Sequence, residues 1–526
     1  MNIIKPFSFL LLTLLSLSAN ATCNVYTLND GNGWGTLRAC INNSRSGETI
    51  EFRVTGRIKL TLGELTIADK NLTINAQSPG SIIIDGQSQS RLFKVQRSRV
   101  TFRNLHFVNG KTASTGTYDD RRGGAIQNDY AHPNDARKVT VINGKFVNNV
   151  ATDEGGAIHS IGPLEIVNSK FQLNRAGING GAIDAGTAYN RHSVIIRDSY
   201  FSLNSASPSS IVTDSTGAVS VHWFDLNISN STFYRNSGAH TGAVGFSGER
   251  ANTLILNSVR FSNNESTYNT RGYGGALKIS HAGTASISNS EFVNNDSSGF
   301  GGAIWLQDNV NVGIGSSTFA DNYSRIDGGA IQFGLITDEN TGNVTITNST
   351  FSRNKAERNG GAISKPARGG VKLTLHHATI ADNVALNQGG GIHSDYTSSI
   401  MFPNKEVIAW NTIVAQNSAS SGLDCFGTVH YRGDSLFGSE DNCALKVGYR
   451  GANKIISVPG LRPLDYYNAS TQTHALTAAS PSRDAAVTEC VLKIDQRGEP
   501  RPDRNPINGD PSHCDIGSHE NQTDWQ

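Results

Sequence analysis

The sequence predicts an all-β chain folded as a parallel β-solenoid, and three observations support this. A Gly-Gly-Ala-Ile tetrapeptide recurs along the chain, and an aromatic residue followed three positions later by Asn recurs in phase with it. A short run of alternating apolar and polar residues precedes each aromatic residue. Because a period of roughly 20 to 50 residues is typical of repeat architectures, and no useful helical pattern interrupts the copies, we expect each repeat to form one coil of stacked parallel strands.

The glycine motif occurs in ten copies, some varied to Thr-Gly-Ala-Val. Counted at its second glycine, the copies stand at 124, 156, 181, 217, 242, 275, 302, 329, 361 and 390. Isoleucine is the largest apolar residue of the motif and should face the core, so alternation places the second glycine inward and the alanine outward. An inward glycine allows a tight turn and close approach of coils. A phosphate-binding loop is disfavoured, since neither GxGxxG nor GxxxxGK[ST] is present.

The second half of each repeat combines a strand with a turn. Runs such as VTVINGKF, LEIVNSKF and VTITNSTF alternate apolar and polar residues, which indicates half-buried strands. The Asn three positions beyond the aromatic residue suits a turn, since its side chain bonds nearby backbone and tolerates left-handed geometry. The pairs are Phe146/Asn149, Phe171/Asn174, Phe201/Asn204, Phe233/Asn236, Phe261/Asn264, Phe292/Asn295, Phe319/Asn322, Phe351/Asn354 and the variant Ile380/Asn383.

The N-terminus has the features of a secretory signal peptide over residues 1–21. It carries one basic residue, Lys5, an apolar stretch from Phe7 to Leu17, and a small-residue pattern ending at Ala21. This layout predicts cleavage before Thr22 and no membrane span in the mature chain.

Export to an oxidising compartment favours disulfides among the six cysteines. They stand as neighbours near the two ends of the chain, and neighbouring pairs are the simplest of fifteen connectivities: Cys23 with Cys40, Cys425 with Cys443, and Cys490 with Cys514. We expect these pairs to cap the open ends of the solenoid. The predicted organisation is an N-terminal cap over 22–46, a β-helix over 47–420 and a C-terminal disulfide-containing cap segment over 421–526.

Composition argues against two classes of partner. The chain of 526 residues has 45 basic and 44 acidic residues with no long run of either sign, so a nucleic-acid partner is not expected. No C-x2-C pair or His cluster points to zinc, and no cofactor or metal is predicted.

Three segments resemble known families. Gly-Gly-Ala-Ile paired with Phe-x-x-Asn resembles the repeat of chlamydial polymorphic outer-membrane proteins and related right-handed parallel β-helix proteins. Residues 29–52 resemble the CSLREA-type N-terminal module, with Cys40 standing where that core has Ala. Residues 411–425, 473–486, 494–502 and 514–520 resemble the C-terminal segment of choice-of-anchor bacterial proteins. The resemblance implies a single-stranded right-handed parallel β-helix with disulfide-capped ends, in an exported protein found at the cell surface or secreted.

Candidate functional residues lie one position past each isoleucine. Stacking aligns this position into an outward-facing column: Gln127, His159, Asp184, Ser220, Gly245, Lys278, Trp305, Gln332, Ser364 and His393. His159 and Asp184 fall in consecutive coils and are the candidate catalytic pair, a carboxylate orienting an imidazole base. The candidate substrate-binding residues are Lys278, Trp305, Gln332, His393, Asp395 and Tyr396. The alternative interpretations are a solvated face of the solenoid for the column and an incidental surface pair for His159 and Asp184, and for such residues both alternatives are commoner than a functional site.

These features leave three functional hypotheses. The first is an exported protein that binds a polysaccharide or a host or cell-surface glycan, as an adhesin does, without catalysis. The second is a polysaccharide lyase or glycoside hydrolase, since the wider fold hosts such enzymes, acting along the outer face. The third is a structural coat or matrix component. The sequence leaves the oligomeric state open.

Overall fold

The computed structural model describes residues 22–129, 137–187, 191–207, 214–249, 251–307, 311–334, 341–366, 370–395, 406–449, 453–487, 490, 492–501 and 513–522. These residues form an all-β parallel solenoid of about 13 turns, as the repeats predict. The proposed signal peptide, 1–21, lies outside them. No helix in the described part of the chain has the length and apolar character needed to cross a bilayer.

Four ladders of hydrogen-bonded parallel strands run along the solenoid. The first ladder contains the strands that follow the glycine motif, and two earlier strands in register with them: Leu65–Ala68, Phe93–Gln96, Ile126–Asp129, Ile158–Ser160, Ile183–Gly186, Val219–His222, Val244–Ser247, Leu277–Ser280, Ile304–Gln307, Ile331–Phe333, Ile363–Lys365, Ile392–Ser394 and the start of Cys425–Arg432.

The second ladder contains the alternating strands that precede each aromatic residue: Thr22–Val25, Thr49–Phe52, Leu72–Asn75, Val100–Arg103, Val139–Ile142, Leu164–Val167, Ser193–Arg197, Asp225–Tyr234, Thr253–Ser262, Thr284–Ser288, Val312–Gly315, Thr341–Thr347, Gly370–His376, Val407–Trp410, the end of Cys425–Arg432, and Cys443–Tyr449.

The third ladder contains the aromatic residues themselves: Gly56–Lys59, Ile82–Asp85, Leu105–Val108, Lys145–Val147, Lys170–Gln172, Tyr200–Ser202, the ends of Asp225–Tyr234 and Thr253–Ser262, Glu291–Val293, Thr318–Ala320, Thr350–Ser352, Thr379–Ala381, Ile413–Ala415, Ser435–Phe437 and Asn453–Ile455. The fourth ladder contains two-residue strands: Val150–Ala151, Arg175–Ala176, Ser205–Ala206, Ser237–Gly238, Glu265–Ser266, Asp296–Ser297, Tyr323–Ser324, Lys355–Ala356 and Val384–Ala385.

The core is built from in-register stacks of identical side chains. Nine phenylalanines, from Phe107 to Phe351, stack one per coil with ring centroids 4.4 to 5.0 Å apart and planes within 12° of parallel. Their separation follows the strand spacing of about 4.8 Å, since equivalent residues of consecutive parallel strands face each other. The rings are fully buried, so each coil adds apolar area to one continuous core.

The asparagines form a buried ladder of their own. Each side-chain amide donates two hydrogen bonds. One goes to the Oδ1 of the next asparagine at 2.9 to 3.0 Å, and the other goes to a third-ladder carbonyl of the preceding coil at 2.8 to 3.2 Å. Asn264, for example, donates to Asn295 Oδ1 and to the Phe233 carbonyl. From Asn174 onward each Oδ1 also accepts the backbone N–H of the preceding ladder asparagine at 3.0 to 3.1 Å, and Asn149 Oδ1 accepts the Gly110 N–H at 2.9 Å. The asparagine ladder therefore satisfies buried corner groups that no strand pairs. Its members are Asn149, Asn174, Asn204, Asn236, Asn264, Asn295, Asn322, Asn354, Asn383 and Asn417, and it ends on Asp424.

Two local expectations were wrong. The left-handed residue of the Asn corner is the one before the ladder asparagine, where φ is 53° to 61°, because the asparagine side chain itself points into the stack. The alanines of the glycine motif are fully buried in the core and do not face outward. The first-ladder strand begins only at isoleucine, so Gly and Ala lie in the preceding bend, where strand alternation does not apply.

The glycines have the structural role that the motif predicted. The first glycine takes φ values such as 67° at Gly360, which favour glycine over other residues. A Cβ at the second glycine, for example Gly361, would collide with the carbonyl oxygen of Gly390 in the next coil. The geometry of the corner therefore requires glycine at both positions.

All three predicted disulfides are present, and two lie in terminal elements. Cys23–Cys40 joins the strand Thr22–Val25 to the helix Leu37–Asn43, whose buried face packs on the first coils. Thr36 caps that helix by accepting the Ala39 N–H at 3.1 Å. Cys425–Cys443 links the last long strands.

The third disulfide, Cys490–Cys514, belongs to a segment that packs along the side of the solenoid. This segment contains the antiparallel pair Leu461–Asp465 and Thr473–Leu476. Ser518 bonds Thr350 at 2.8 Å and Thr379 at 2.9 Å, both on the third ladder. The C-terminal segment therefore covers an outer face several coils long.

The asparagine ladder makes a stability prediction at its centre. Asn295→Ala removes the acceptor of two Asn264 donors and a donor to the Phe261 carbonyl. Each buried unsatisfied group costs about 1 to 3 kcal/mol, so we expect a clear fall in the unfolding midpoint and faster hydrogen exchange at the Asn264 amide. Ser286→Ala, at an exposed second-ladder position, is the matched control. Equal midpoints for the two variants would contradict a stabilising role for the ladder.

The carboxyl group at the end of the asparagine ladder should make stability depend on pH. Burial raises the pKa of Asp424 to about 6, although it accepts hydrogen bonds from Asn417. The folded protein then holds this proton more tightly than the unfolded chain, so stability falls as pH rises from about 4 through 6.

Comparing wild type with Asp424→Asn from pH 4 to pH 7 isolates this contribution. Wild type should lose stability relative to the variant by up to about 3 kcal/mol over that range. Glu440→Gln, at a neighbouring exposed position, is the matched control. A difference between wild type and Asp424→Asn that stays constant with pH would show that Asp424 has an ordinary pKa.

Candidate functional site

The predicted column exists, but it is not a solvated face. Gln127 pairs with His159, His159 with Asp184, and Lys278 with Trp305 in consecutive first-ladder strands. These side chains are nevertheless buried, with exposed fractions of 2% for His159 and 7% for Trp305. Chain from the corners and from the longer repeats lies over the column, so the column forms the floor of a groove.

Two cavities lie in this groove. The first, which we call the carboxylate cavity, has a volume of about 270 Å³ and is lined by Tyr118, Arg122, Glu154, His159, Ile178, Asn179, Asp184, Gly186, Asp214, His222 and Trp223. The second, the aromatic cavity, has a volume of about 420 Å³ and is lined by Asp214, Tyr273, Lys278, Phe300, Trp305, Gln307, Gln332 and Gly334. A narrow space beside Ser220 and Gly245 lies between them, and Asp214 borders all three.

In the carboxylate cavity His159 lies between two carboxylates. Its Nε2 is 3.7 Å from Asp184 Oδ2 and 4.0 Å from Glu154 Oε2. These distances exceed a hydrogen bond, so Asp184 does not orient the imidazole in the way that the sequence suggested. Glu154 instead pairs with Arg122 Nη2 at 2.7 Å and accepts the Tyr118 hydroxyl at 3.1 Å.

Burial controls ionisation in this cavity. It lowers the pKa of His159 well below its usual value, and the positive charges of Arg122 and Arg91 lower it further, so the ring is neutral at neutral pH. Burial raises the pKa of Asp184 well above its usual value, and the Glu154 charge adds to that effect. Burial also raises the pKa of Glu154 itself, against the opposing attraction of Arg122. The cluster thus combines a neutral base with carboxyl groups that hold protons readily.

The aromatic cavity combines two closely packed rings, tilted by 34° to each other, with one cation. Tyr273 and Trp305 have ring centroids 4.6 Å apart. Lys278 Nζ lies 5.5 Å from the Trp305 ring and forms an ion pair with Asp214. The amide nitrogen of Gln332 bonds the Phe333 carbonyl at 2.6 Å, while its buried Oε1 has no partner among the described residues. The cavity therefore offers flat apolar faces beside polar atoms able to bond a ligand.

The remaining predicted residues lie apart from the groove. His393 Nε2 lies 3.0 Å from Asp395 Oδ1, and the His393 ring stacks on Phe426. Neither His393 nor Asp395 lines the cavities, which extend along the first ladder only as far as Gln332. Tyr396 falls outside the described residues.

Sequence reasoning missed the groove walls, although part of the wall has a signal. The residue immediately before the first glycine of the motif points into the groove in several coils: Arg122, Glu154, Asn179, Tyr273 and Phe300. These positions vary from copy to copy, like the column one residue past isoleucine, and could have been read from the repeat. Tyr118 and Asp214 could not be read from the repeat, because Tyr118 lies before the first motif, at 124, and Asp214 lies in the longest interval between motifs, from 181 to 217.

One family model matches the chain. It describes the Chlamydia polymorphic membrane protein repeat and covers residues 348–365. No curated protein matches the sequence.

Among solved structures, the chain is similar to the PL6 family alginate lyase AlyGC, at 11% identity and a TM-score of 0.44, over 92% of this chain and 60% of that one. It is similar to the PL6 family polysaccharide lyase Pedsa3628 from Pseudopedobacter saltans, at 12% identity and a TM-score of 0.40, over 82% and 97% of the two chains. It is also similar to tailspike protein 3 of bacteriophage CBA120, at 10% identity and a TM-score of 0.41, over 80% and 57%.

Proposed function

We propose that this protein is an exported β-solenoid that binds a polysaccharide, free or on a cell surface, in the groove above the first ladder. The observation that carries the proposal is the aromatic cavity, where Trp305 and Tyr273 present ring faces beside Lys278 and Gln332. Its volume of about 420 Å³ lies within the range typical of small-molecule sites.

The chemistry of the cavity suits sugar rings. A pyranose has apolar C–H faces and a polar rim of hydroxyl groups, so it packs on an aromatic face while its rim bonds to side chains. Gln332 Oε1 is buried without a partner among the described residues and would accept a sugar hydroxyl. The Lys278 ammonium, held by Asp214, would attract a carboxylate or sulfate on the sugar. The groove therefore suits an acidic glycan better than a neutral one.

The extent of the groove favours a chain over a single sugar. His159 and Trp305 are five coils apart on the first ladder, which corresponds to about 24 Å at one parallel-strand spacing per coil. Several linked sugar units fit along that length. The rigid parallel ladder keeps the subsites in fixed order.

Export is part of the proposal. Three disulfides are typical of proteins that fold in an oxidising compartment, and the N-terminal sequence supports a signal peptide over residues 1–21. We retain the division into a cap over 22–46, a β-helix over 47–420 and a C-terminal segment over 421–526. Adhesion to a host or cell-surface glycan is the form of binding that this arrangement serves best.

The binding proposal predicts a strong effect of Trp305→Ala. Purified protein is titrated with a panel of acidic and neutral polysaccharides by affinity electrophoresis and calorimetry. Affinity for the bound polysaccharide should fall at least about tenfold, because the variant loses the indole face on which a sugar ring packs and the apolar area buried there. Lys278→Met should weaken the binding of acidic glycans more than the binding of neutral glycans.

Trp34→Ala is the matched control, because Trp34 is 84% exposed at the N-terminal end and far from the groove along the chain. Circular dichroism and melting curves establish that each variant is folded. Binding that survives both Trp305→Ala and Lys278→Met would place the glycan site elsewhere, and failure of every polysaccharide to bind would reject the proposal.

A second candidate function is cleavage of the bound polysaccharide, as a lyase or glycoside hydrolase. The carboxylate cavity favours it, since a neutral buried His159 suits a general base and the raised pKa of Asp184 suits a proton donor. Incubation with the same panel distinguishes the reactions: a lyase creates unsaturated products that absorb in the ultraviolet, whereas a hydrolase creates only new reducing ends. Activity lost in both His159→Ala and Asp184→Asn would establish catalysis there, and activity that survives both would reject these residues.

A further inference from the structure

We propose that the carboxylate cavity is a binding site for a divalent transition-metal ion, held by Glu154, His159 and Asp184. One ligand atom from each side chain lies within 4.8 Å of the other two. The donor set, one imidazole nitrogen and two carboxylate oxygens, is one that Zn²⁺ and its first-row neighbours accept. The inference does not depend on the glycan proposal.

The unpartnered state of His159 is the observation that points to a ligand. The residue is 2% exposed, and Nδ1 is buried without a hydrogen bond among the described residues. Its other nitrogen, Nε2, has only the two carboxylates near it, at 3.7 and 4.0 Å. Buried polar groups in folded proteins are nearly always satisfied, and this cluster holds two that have no hydrogen bond among the described residues, His159 Nδ1 and Asp184 Oδ1, so the cluster has capacity for a further ligand.

The distances leave room for a cation. A point equidistant from the three ligand atoms lies about 2.5 Å from each, and zinc binds nitrogen and carboxylate oxygen at about 2.0 to 2.2 Å. Shifts of a few tenths of an ångström would close the site. Asp184 Oδ1 is also buried without a hydrogen bond among the described residues, so that carboxylate has capacity to spare.

The charges around the cluster also suit a cation. Two carboxyl groups lie beside one neutral imidazole, and Arg122 contacts one of the three proposed ligands, with its Nη2 2.7 Å from Glu154 Oε2. Arg122 and the Tyr118 hydroxyl hold the Glu154 carboxylate in place through Oε2, as outer-sphere partners do for metal ligands. His222 stands behind Asp184, with Nε2 4.0 Å from Asp184 Oδ1 and 2.8 Å from Ser220 Oγ.

The backbone fixes the three ligands through the repeat. Glu154 is the residue before the first glycine of its motif, and His159 is the residue after the isoleucine of the same motif. Asp184 pairs with His159 one coil further on. Three side chains therefore converge from two adjacent coils, without help from a flexible loop. The remaining coordination positions would face the cavity of about 270 Å³ and accept water or a ligand oxygen.

The test is calorimetric titration of the chelator-treated full chain with ZnCl₂. We expect one equivalent to bind with a dissociation constant in the micromolar range or below. Glu154→Gln, Asp184→Asn and His159→Ala should each weaken binding at least about tenfold, and the first two are nearly isosteric, so they preserve packing. His106→Ala removes a third-ladder histidine outside the cavity and should bind zinc like wild type.

Anomalous diffraction from crystals soaked in ZnCl₂ locates the ion. A peak in contact with Glu154, His159 and Asp184 would support the site. Less than one equivalent bound, a peak elsewhere, or wild-type affinity in both isosteric variants would each overturn it. Melting curves taken before zinc is added show whether a variant is folded. If His159→Ala is not folded, Glu154→Gln and Asp184→Asn decide the outcome.

Discussion

In-register stacking of equivalent residues at one strand spacing is the constraint on which this structure depends. Parallel ladders place each residue directly over its counterpart about 4.8 Å away, so a side chain must be compatible with a copy of itself above and below. Phenylalanine meets this condition by ring stacking and asparagine by hydrogen bonding to its own kind. A charged residue at such a core position would face a like charge in a dry environment, at considerable electrostatic cost. The repeated sequence follows directly from this condition.

The asparagine ladder explains why one amide recurs where other turn residues would also fit a corner. An amide side chain has both a donor and an acceptor, so it can pass hydrogen bonds along the stack without reversing direction. Serine, glycine or aspartate offers only part of this. The ladder accordingly stops where Asp424, which can only accept when ionised, takes the last position.

The repeat and its period were readable from the sequence, and so was the register that joins His159 to Asp184. The sequence could not show how deeply each side chain is buried. Strand alternation shows which side of a strand a residue faces, but it does not show what covers that side, and the burial of Trp305 and Lys278 depends on chain from elsewhere. The orientation of Ala362 was mispredicted because alternation was applied to a bend. Asp214 and Tyr118 could not be assigned, because they lie between repeats and obey no period.

The same reasoning explains where specific chemistry can arise in a solenoid. A different residue at a core position in one coil would interrupt the stack of side chains there, whereas a position outside the stack is free to differ in every coil. The residue before the motif and the residue after its isoleucine are such positions, and they bring Glu154, His159 and Asp184 into one cavity and Tyr273 and Trp305 into another. Burial then gives these side chains their chemical character, since the same His159 in water would be an ordinary imidazole. The function of this protein should therefore be sought where its repeats differ, and the rigid, uniform core is what holds those differences at fixed distances.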